Sequence, residues 1–251
     1  MMSAMRRMLL FALATLAACT SPASSGVDGG GGADGGGGGE DGSTGPACTA
    51  APADETGQAT YYNADGTGSC SFDASSDFLV AAMNATDYGN AVWCGACVDV
   101  TGPNGNGHVV VRVVDKCPGC SAGSLDLSET AFGMIAPLSA GRVDISWHEV
   151  ACPVTGPLAY EFQSGSSKFY TAIQIRNHRY PIAKLESVDS GGVATEIARK
   201  DYNYFVAASG LGAGPYALRV TDTRGHVLDD AAVPLAPGAT SDGAAQFPTC
   251  P

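Results

Sequence analysis

The chain has 251 residues, of which 34 are glycine and 9 are cysteine, and only 15% are charged. Its formal net charge is −12, which argues against nucleic acid or any polyanion as the main partner. No apolar run approaches the roughly 20 residues of a spanning helix, so no transmembrane span is expected.

The chain starts with an address. Arg6 and Arg7 precede an almost wholly apolar run, Met8 to Ala18, too short to cross a bilayer and suited to the core of a signal peptide. It ends Leu16-Ala17-Ala18-Cys19, which resembles a bacterial lipobox and implies lipidation at Cys19. The alternative is an ordinary cleavage site with a stray cysteine. Residues 20–47 are mostly Gly, Ser, Ala and Asp with no apolar period. Such a segment cannot bury enough surface to offset its ordering entropy and reads as a flexible tether. Without Arg6 and Arg7, 11 bases face 25 acids, a balance of −14.

From Cys48 onward the periodicity is that of strands. Gly57 to Tyr62 is a short β-prone run that ends in the turn residues Asn63-Ala64-Asp65-Gly66. Phe78 to Asn84 fits a helical turn or a buried strand. Ala96 to Val100 and His108 to Val114 are β-branched runs. Asp115 ends the second of them, a cysteine-bounded turn follows (Cys117-Pro118-Gly119-Cys120), and Asp126 then stands between two leucines. Ser128 to Ile135 reads as a short helix with Ser128 as its N-cap and Glu129 in the first turn. Val143 to Val150 alternates as a strand. Beyond Pro153 the strands become regular: 157–163, 169–176, 183–188, 217–221 and 226–232, separated by Gly-containing turns. Short strands at this spacing predict an antiparallel sandwich. Residues 55–152 carry eleven acids and three bases, whereas residues 153–251 carry nine acids and eight bases. That shift places a boundary near Pro153.

Setting Cys19 aside leaves eight cysteines, and export implies an oxidising compartment, so four disulfides are expected. Cys94, Cys97, Cys117 and Cys120 read C-x2-C-x19-C-x2-C, which falls within zinc-ribbon spacing. Export and the four further cysteines weigh against a structural metal, and no metal or cofactor is expected. A redox role for the Cys-Pro-Gly-Cys turn lacks the surrounding βαβ pattern. The four histidines (108, 148, 178 and 226) show no ligand spacing.

The region from about Gly57 to the end resembles the microbial expansins. The carrying motifs are GQATYY, VVDKCPGC, SLDLSETAF, SSKFYTAIQIRNHRYPIAKLE, KDYNYF and VTDTRGHVL. The resemblance implies an all-β chain, with a six-stranded double-psi β-barrel at 48–152 and an immunoglobulin-like carbohydrate-binding β-sandwich at 153–251. It also implies non-hydrolytic loosening of cellulosic walls. Thr60, Asp115 and Asp126 match the barrel site, and Asp126 matches the carboxylate essential for loosening. In related double-psi-barrel endoglucanases that position is the general acid, and an inverting mechanism needs a second carboxylate as base. Here the base position falls on Asn63, which cannot accept a proton at useful pH. Asp115 and Asp65 are the candidate substitutes. The alternative for Asp126 is a loop acid that caps the following helix.

In the second half, Phe169, Tyr170 and Tyr202 match an aromatic platform on which sugar rings stack. The family's usual Trp-Trp pair is Phe-Tyr here, which implies weaker cellulose binding or another glycan. Neighbours on a strand face opposite sides. By that rule Phe169 would be core and only Tyr170 exposed, unless a bulge turns both to one face. Tyr61, Tyr62 and Trp93 are candidates for the aromatic that the barrel loses at Cys117. The resemblance implies disulfides Cys70–Cys94, Cys97–Cys152, Cys117–Cys120 and Cys48–Cys250.

The leading expectation is therefore an exported, lipid-anchored monomer at the outer membrane or cell surface. It would bind cellulose, another glucan or peptidoglycan, touch the membrane only through its lipid, and cut nothing. The alternatives are a glycan-cleaving enzyme on the same barrel, an endoglucanase or a peptidoglycan lytic enzyme, and a pure carbohydrate-binding or adhesion module.

Overall fold

The structure, a computed structural model, describes residues 48–250. The signal segment, Cys19 and the glycine-rich tether lie outside the described residues.

Six strands close the first half into a barrel in the order β1-β5-β2-β4-β3-β6. They are β1 (Glu55–Tyr62), β2 (Val80–Asn84), β3 (Cys97–Thr101), β4 (His108–Cys117), β5 (Leu125–Ser128) and β6 (Val143–Val150). The β1–β5 and β2–β4 pairs are parallel, and the other pairings are antiparallel. Helix α1 (Ala85–Tyr88) continues β2, and α2 (Glu129–Ile135) continues β5. The Ser128 hydroxyl accepts the Ala131 N–H at 3.0 Å and so caps α2. The β-branched runs of β3 and β4 turn Val98, Val100, Val109, Val111 and Val113 inward, where they meet Leu125, Leu127, Phe132 and Trp147. Strand alternation is what sorts them: successive side chains point to opposite faces, and one face is dry.

The second half is a sandwich. A four-stranded sheet runs β10-β9-β13-β14, with β9 (Ile182–Val188), β10 (Ala194–Glu196), β13 (Tyr216–Asp222) and β14 (Val227–Val233). A five-stranded sheet runs β11-β12-β8-β7-β15, with β7 (Ala159–Phe162), β8 (Thr171–Arg176), β11 (Ala198–Arg199), β12 (Phe205–Ala207) and β15 (Thr240–Asp242). Between the sheets lie Phe162, Ile173, Ile175, Leu185, Leu218 and Val220, among others. The fold is a double-psi barrel followed by an immunoglobulin-like sandwich.

The structure departs from the sequence reading, or from its alternatives, at three places. Asp126 sits inside strand β5 and not in a loop, because Leu125 and Leu127 anchor the segment in the barrel core. The run 169–176 becomes strand only from Thr171. The short strands β10, β11, β12 and β15 gave no periodic signal, since two or three residues are too few to show one.

Barrel and sandwich form one compact unit. The outer face of β8 packs on the barrel, where Gln174 Nε2 donates to the Cys70 carbonyl at 2.9 Å and Arg176 meets Asp73 at 2.8 Å. The Tyr88 hydroxyl donates to the Asp201 carbonyl at 2.8 Å. Arg224 reaches Glu149 at 2.6 Å, with both side chains almost wholly buried. Burial raises the Glu149 pKa, and its bond to Arg224 opposes that rise. Disulfides join Cys70–Cys94, Cys97–Cys152, Cys117–Cys120 and Cys48–Cys250. The zinc-ribbon spacing is thus divided among three bridges, and its four cysteines do not form one cluster.

Candidate functional site

The site is a row of residues across four neighbouring strands on the outer face of the barrel. Thr60 on β1 is in register with Asp126 on β5. Asp126 is in register with Ala82 on β2, and Ala82 with Asp115 on β4. The Thr60 hydroxyl donates to Asp126 Oδ1 at 2.5 Å, a short charge-assisted bond. Ala82, the smallest side chain of the row, lies between the two acids. Two strand spacings, roughly 10 Å between Cα atoms, separate Asp126 from Asp115.

A β-bulge puts Asp115 in this row. Ala81 pairs with Val113, but Ala82 pairs with Asp115, so Val114 is an extra residue on β4. Val113 points into the barrel core, and Val114 joins an outer cluster with Val80 and Ala64. Without the extra residue, Asp115 would oppose Met83 and face inward. An inserted residue re-aims everything beyond it.

Asp115 is held by backbone and not by Asp126. Its Oδ1 accepts the Ser69 N–H at 2.6 Å and the Lys116 N–H at 2.7 Å. Asp115 and Asp126 are not hydrogen-bonded neighbours: Ala82 separates them, and the row lies on the outer wall. The segment 63–79 folds over this wall and brings Ser69 to Asp115. Asp65, in the same segment, spends its carboxylate on Thr67, accepting its hydroxyl at 2.6 Å and its N–H at 2.9 Å. Those bonds hold the Asp65 pKa below the ordinary carboxylate value, which makes it a poorer base. Asn63 lies exposed just past the end of β1 and lines a small cleft with Phe78 and Glu129.

Tyr62 and Tyr61 part company on β1. Tyr62 shares the outer face with Thr60 and packs against the Val80–Val114 cluster. Burial, then the charges of Asp115, Asp126 and Asp65, raise its phenol above the ordinary value. Its hydroxyl is buried with no hydrogen-bond partner among the described residues. Tyr61 is a correction to the expected glycan-binding set. It faces the barrel core with its ring centroid 4.9 Å from that of Phe132, because its register partner is the core residue Leu127. Trp93 packs edge-on against Trp147 at 5.6 Å.

The aromatic platform is arranged differently from the strand rule. Ser167 and Tyr170 form a bridge, exchanging N–H···O bonds of 2.6 and 3.2 Å. Lys168 and Phe169 are therefore the two tip residues of a tight turn. Phe169 is 71% exposed, with Lys168 Nζ 4.8 Å from its ring centroid. Tyr170 is half-buried against Tyr204 and Val206. Phe169 is thus the exposed member of the pair, the reverse of what alternation predicts, because the turn ends before the strand begins. Tyr202 is 38% exposed, and its ring lies 6.0 Å from that of Tyr204. Partial burial, followed by the neighbouring Tyr170 hydroxyl, raises the Tyr202 phenol.

The two halves of the site are joined through the backbone. Asn203, next to Tyr202, donates to the Cys70 carbonyl at 3.3 Å, and Cys70 follows Ser69, which holds Asp115. Gly68, Ser69, Ala82 and Tyr204 were not singled out in the sequence. The i, i+2 spacing of Tyr202 and Tyr204 was the one available signal for the last of these.

Comparison with known proteins identifies the chain. An expansin of Bacillus subtilis (strain 168), Expansin-YoaJ, is 38% identical over 182 residues, covering 69% of this chain and 77% of that one. The chain belongs to the expansin family. The solved structure of apo Clavibacter michiganensis expansin superposes with a TM-score of 0.71 at 33% identity, covering 79% of this chain and all of that one. A mutant of that expansin has been solved in complex with cellohexaose. A family model described as lytic transglycolase matches residues 54–147, which span the barrel. The papain inhibitor of Streptomyces mobaraensis is 40% identical over 113 residues, covering 41% of this chain and 77% of that protein.

Proposed function

We propose that this expansin binds a cellulosic or related glucan along the Thr60–Asp126–Ala82–Asp115 row and the Phe169–Tyr170–Tyr202 platform. It loosens glucan–glucan contacts there without breaking a glycosidic bond. The observation that carries this reading is Asp126 standing in an outer-face row with Thr60 as its side-chain partner and, among the described residues of that row, no free carboxylate to serve as its base. Asp115 is bound by two backbone N–H groups, Asp65 by Thr67, and Asn63 cannot act as a base. Inverting hydrolysis needs both an acid and a base with water between them. A glucan-bound relative supports the substrate class.

The test applies the full chain to cellulose paper and to isolated walls, and measures extension under load and release of reducing ends or muropeptides. Extension that disappears in Asp126→Asn, with no soluble product at any stage, is the expected result. Sustained product that vanishes in the same variant would instead identify a glycan-cleaving enzyme, and extension unchanged by it would leave a binding module.

Export and lipid anchoring at Cys19 belong to the same proposal. Four disulfides suit an oxidising compartment. Labelling cells with a fatty-acid analogue, with Cys19→Ser as the comparison, tests the anchor. A second reading, inhibition of a cysteine protease by the barrel, is supported by the 40% identity to a papain inhibitor. A papain activity assay titrated with the chain decides it.

A further inference from the structure

The Cys48–Cys250 bridge ends against a buried histidine that takes no part in the glycan site. His226 Nε2 lies 3.2 Å from Cys48 Sγ and 3.9 Å from Cys250 Sγ. On the other side of the ring, Nδ1 is 2.7 Å from Asp222 Oδ2. Asp222 is itself fixed, because its Oδ1 accepts the N–H groups of Arg224 at 2.9 Å and His226 at 2.8 Å. His226 is 3% exposed and Asp222 is 1% exposed. An ionised carboxylate only accepts hydrogen bonds. With Nδ1 donating to Asp222, Nε2 is the ring nitrogen that faces the two sulfurs. A disulfide has no S–H to donate. Nε2 is thus a buried ring nitrogen whose polar contacts among the described residues are the two sulfur atoms.

We propose that reduction of Cys48–Cys250 converts this cluster into a Cys2His site for a thiophilic, tetrahedral divalent cation of the zinc type, with Asp222 orienting the ligating imidazole. The three ligand atoms already lie within 4.8 Å of one another. Zinc–sulfur and zinc–nitrogen bonds of ordinary length put neighbouring ligand atoms about 3.5–3.8 Å apart. The two nitrogen–sulfur separations bracket that range, and only the sulfurs must part. A carboxylate behind a ligating histidine is the usual support for such a ligand. Cys48 and Cys250 are half-buried, which leaves a side open for water as the fourth ligand.

The chemistry balances with a dithiol as reductant. Its first thiolate attacks one sulfur, the S–S bond breaks, and a mixed disulfide forms. Its second thiol displaces the remaining cysteine, so the donor leaves as its own disulfide and the chain holds two thiols. Binding the dication then releases both thiol protons and forms two metal–sulfur bonds and one metal–nitrogen bond. Two thiolates neutralise the ion, as a half-buried site requires. Residues 202 positions apart would then be held together in either redox state.

The test uses the full chain carrying Cys117→Ser and Cys120→Ser, which removes the other bridge not buried in the core. Cys70–Cys94 and Cys97–Cys152 are 0–4% exposed and are shielded from reductant. The chain is reduced with a phosphine, desalted without oxygen, and titrated with Zn2+ against a chromophoric chelator, with Co2+ as a spectroscopic probe. Expected are one Zn2+ per chain after reduction only, a thiolate-to-cobalt charge-transfer band, and about 10–100-fold weaker binding in Asp222→Asn. Stoichiometric binding that His226→Gln leaves unchanged would overturn the proposal, as would no binding by the reduced chain. Nitrogen NMR of the chain with His226 intact guards against a misfolded variant: Nε2 must shift when Zn2+ is added, and an unmoved signal refutes the site.

Discussion

At the scale of single residues the barrel site depends on Gly68. A Cβ at this position would meet Asp115 Cγ at 2.4 Å, and its φ of +155° disfavours any L side chain. Gly68→Ala is expected to cost about 1–3 kcal/mol of stability and to push the Asp115 carboxylate off the Ser69 N–H. Urea unfolding reads the first effect and wall extension the second. His178 sets a different condition. It is fully buried, its Nδ1 lies 2.8 Å from the Tyr180 carbonyl, and burial pushes its pKa down to about 4. The folded state therefore keeps it neutral, while the unfolded chain takes up a proton below about 6.5. Its contribution is complete above about pH 6.5 and is lost as pH falls toward 4, about 3 kcal/mol in all. Denaturant titrations at pH 7 and pH 4.5 should show that loss, and His178→Gln should remove that part of the acid slope. Thr60, Asp126 and Asp115 were legible as single residues because a family motif surrounds each. Gly68 was not, because the reason for it is an atom 47 positions away.

At the scale of elements, β1, the β4 bulge and the 167–170 turn decide which aromatic and acidic groups face a ligand. Tyr61 and Tyr62 are adjacent and chemically alike, but the pleat sends one to the core and leaves the other beside Asp126. Bulges are not visible as a change in composition, so the sequence alone left Asp115 without a face. The turn likewise reverses the expected roles of Phe169 and Tyr170. Phe169→Ala is expected to weaken glucan binding by about 0.5–1.5 kcal/mol while leaving the melting temperature unchanged, because the ring is 71% exposed. Isothermal titration with a cello-oligosaccharide, paired with a thermal melt, separates the two effects. A lowered melting temperature would mean that the ring packs as core.

At the scale of the whole molecule, barrel and sandwich are clamped by buried polar contacts and not by a greasy seam. The Glu149–Arg224 pair joins β6 to the turn after β13, and Arg224 also donates to the Thr49 carbonyl at 3.1 Å. Glu149→Gln would leave the guanidinium buried without its counter-charge, a loss of about 3–5 kcal/mol that chemical denaturation would register. If stability were unchanged, the clamp would be ornamental and the two halves free to reorient. The charge division also has a consequence. Eleven acids against three bases over residues 55–152 leave little long-range attraction for a neutral polymer. Binding to neutral glucan should therefore change little between low and high salt, and a steep salt dependence in a pull-down would contradict this surface.

The sequence by itself determined the class of fold, the family, and the identity of the acids and aromatics available to a glycan, because strand periodicity and local motifs are written in neighbouring residues. It did not determine which of these groups share a surface. That needed the register of β1, β5, β2 and β4, the extra residue at Val114, and the tight turn at Lys168-Phe169. The pairing of Asp222 and His226 with Cys48 and Cys250 is of the same kind. Only the closing of a chain on itself brings residue 48 to residue 226, and no local pattern encodes a contact across 178 positions.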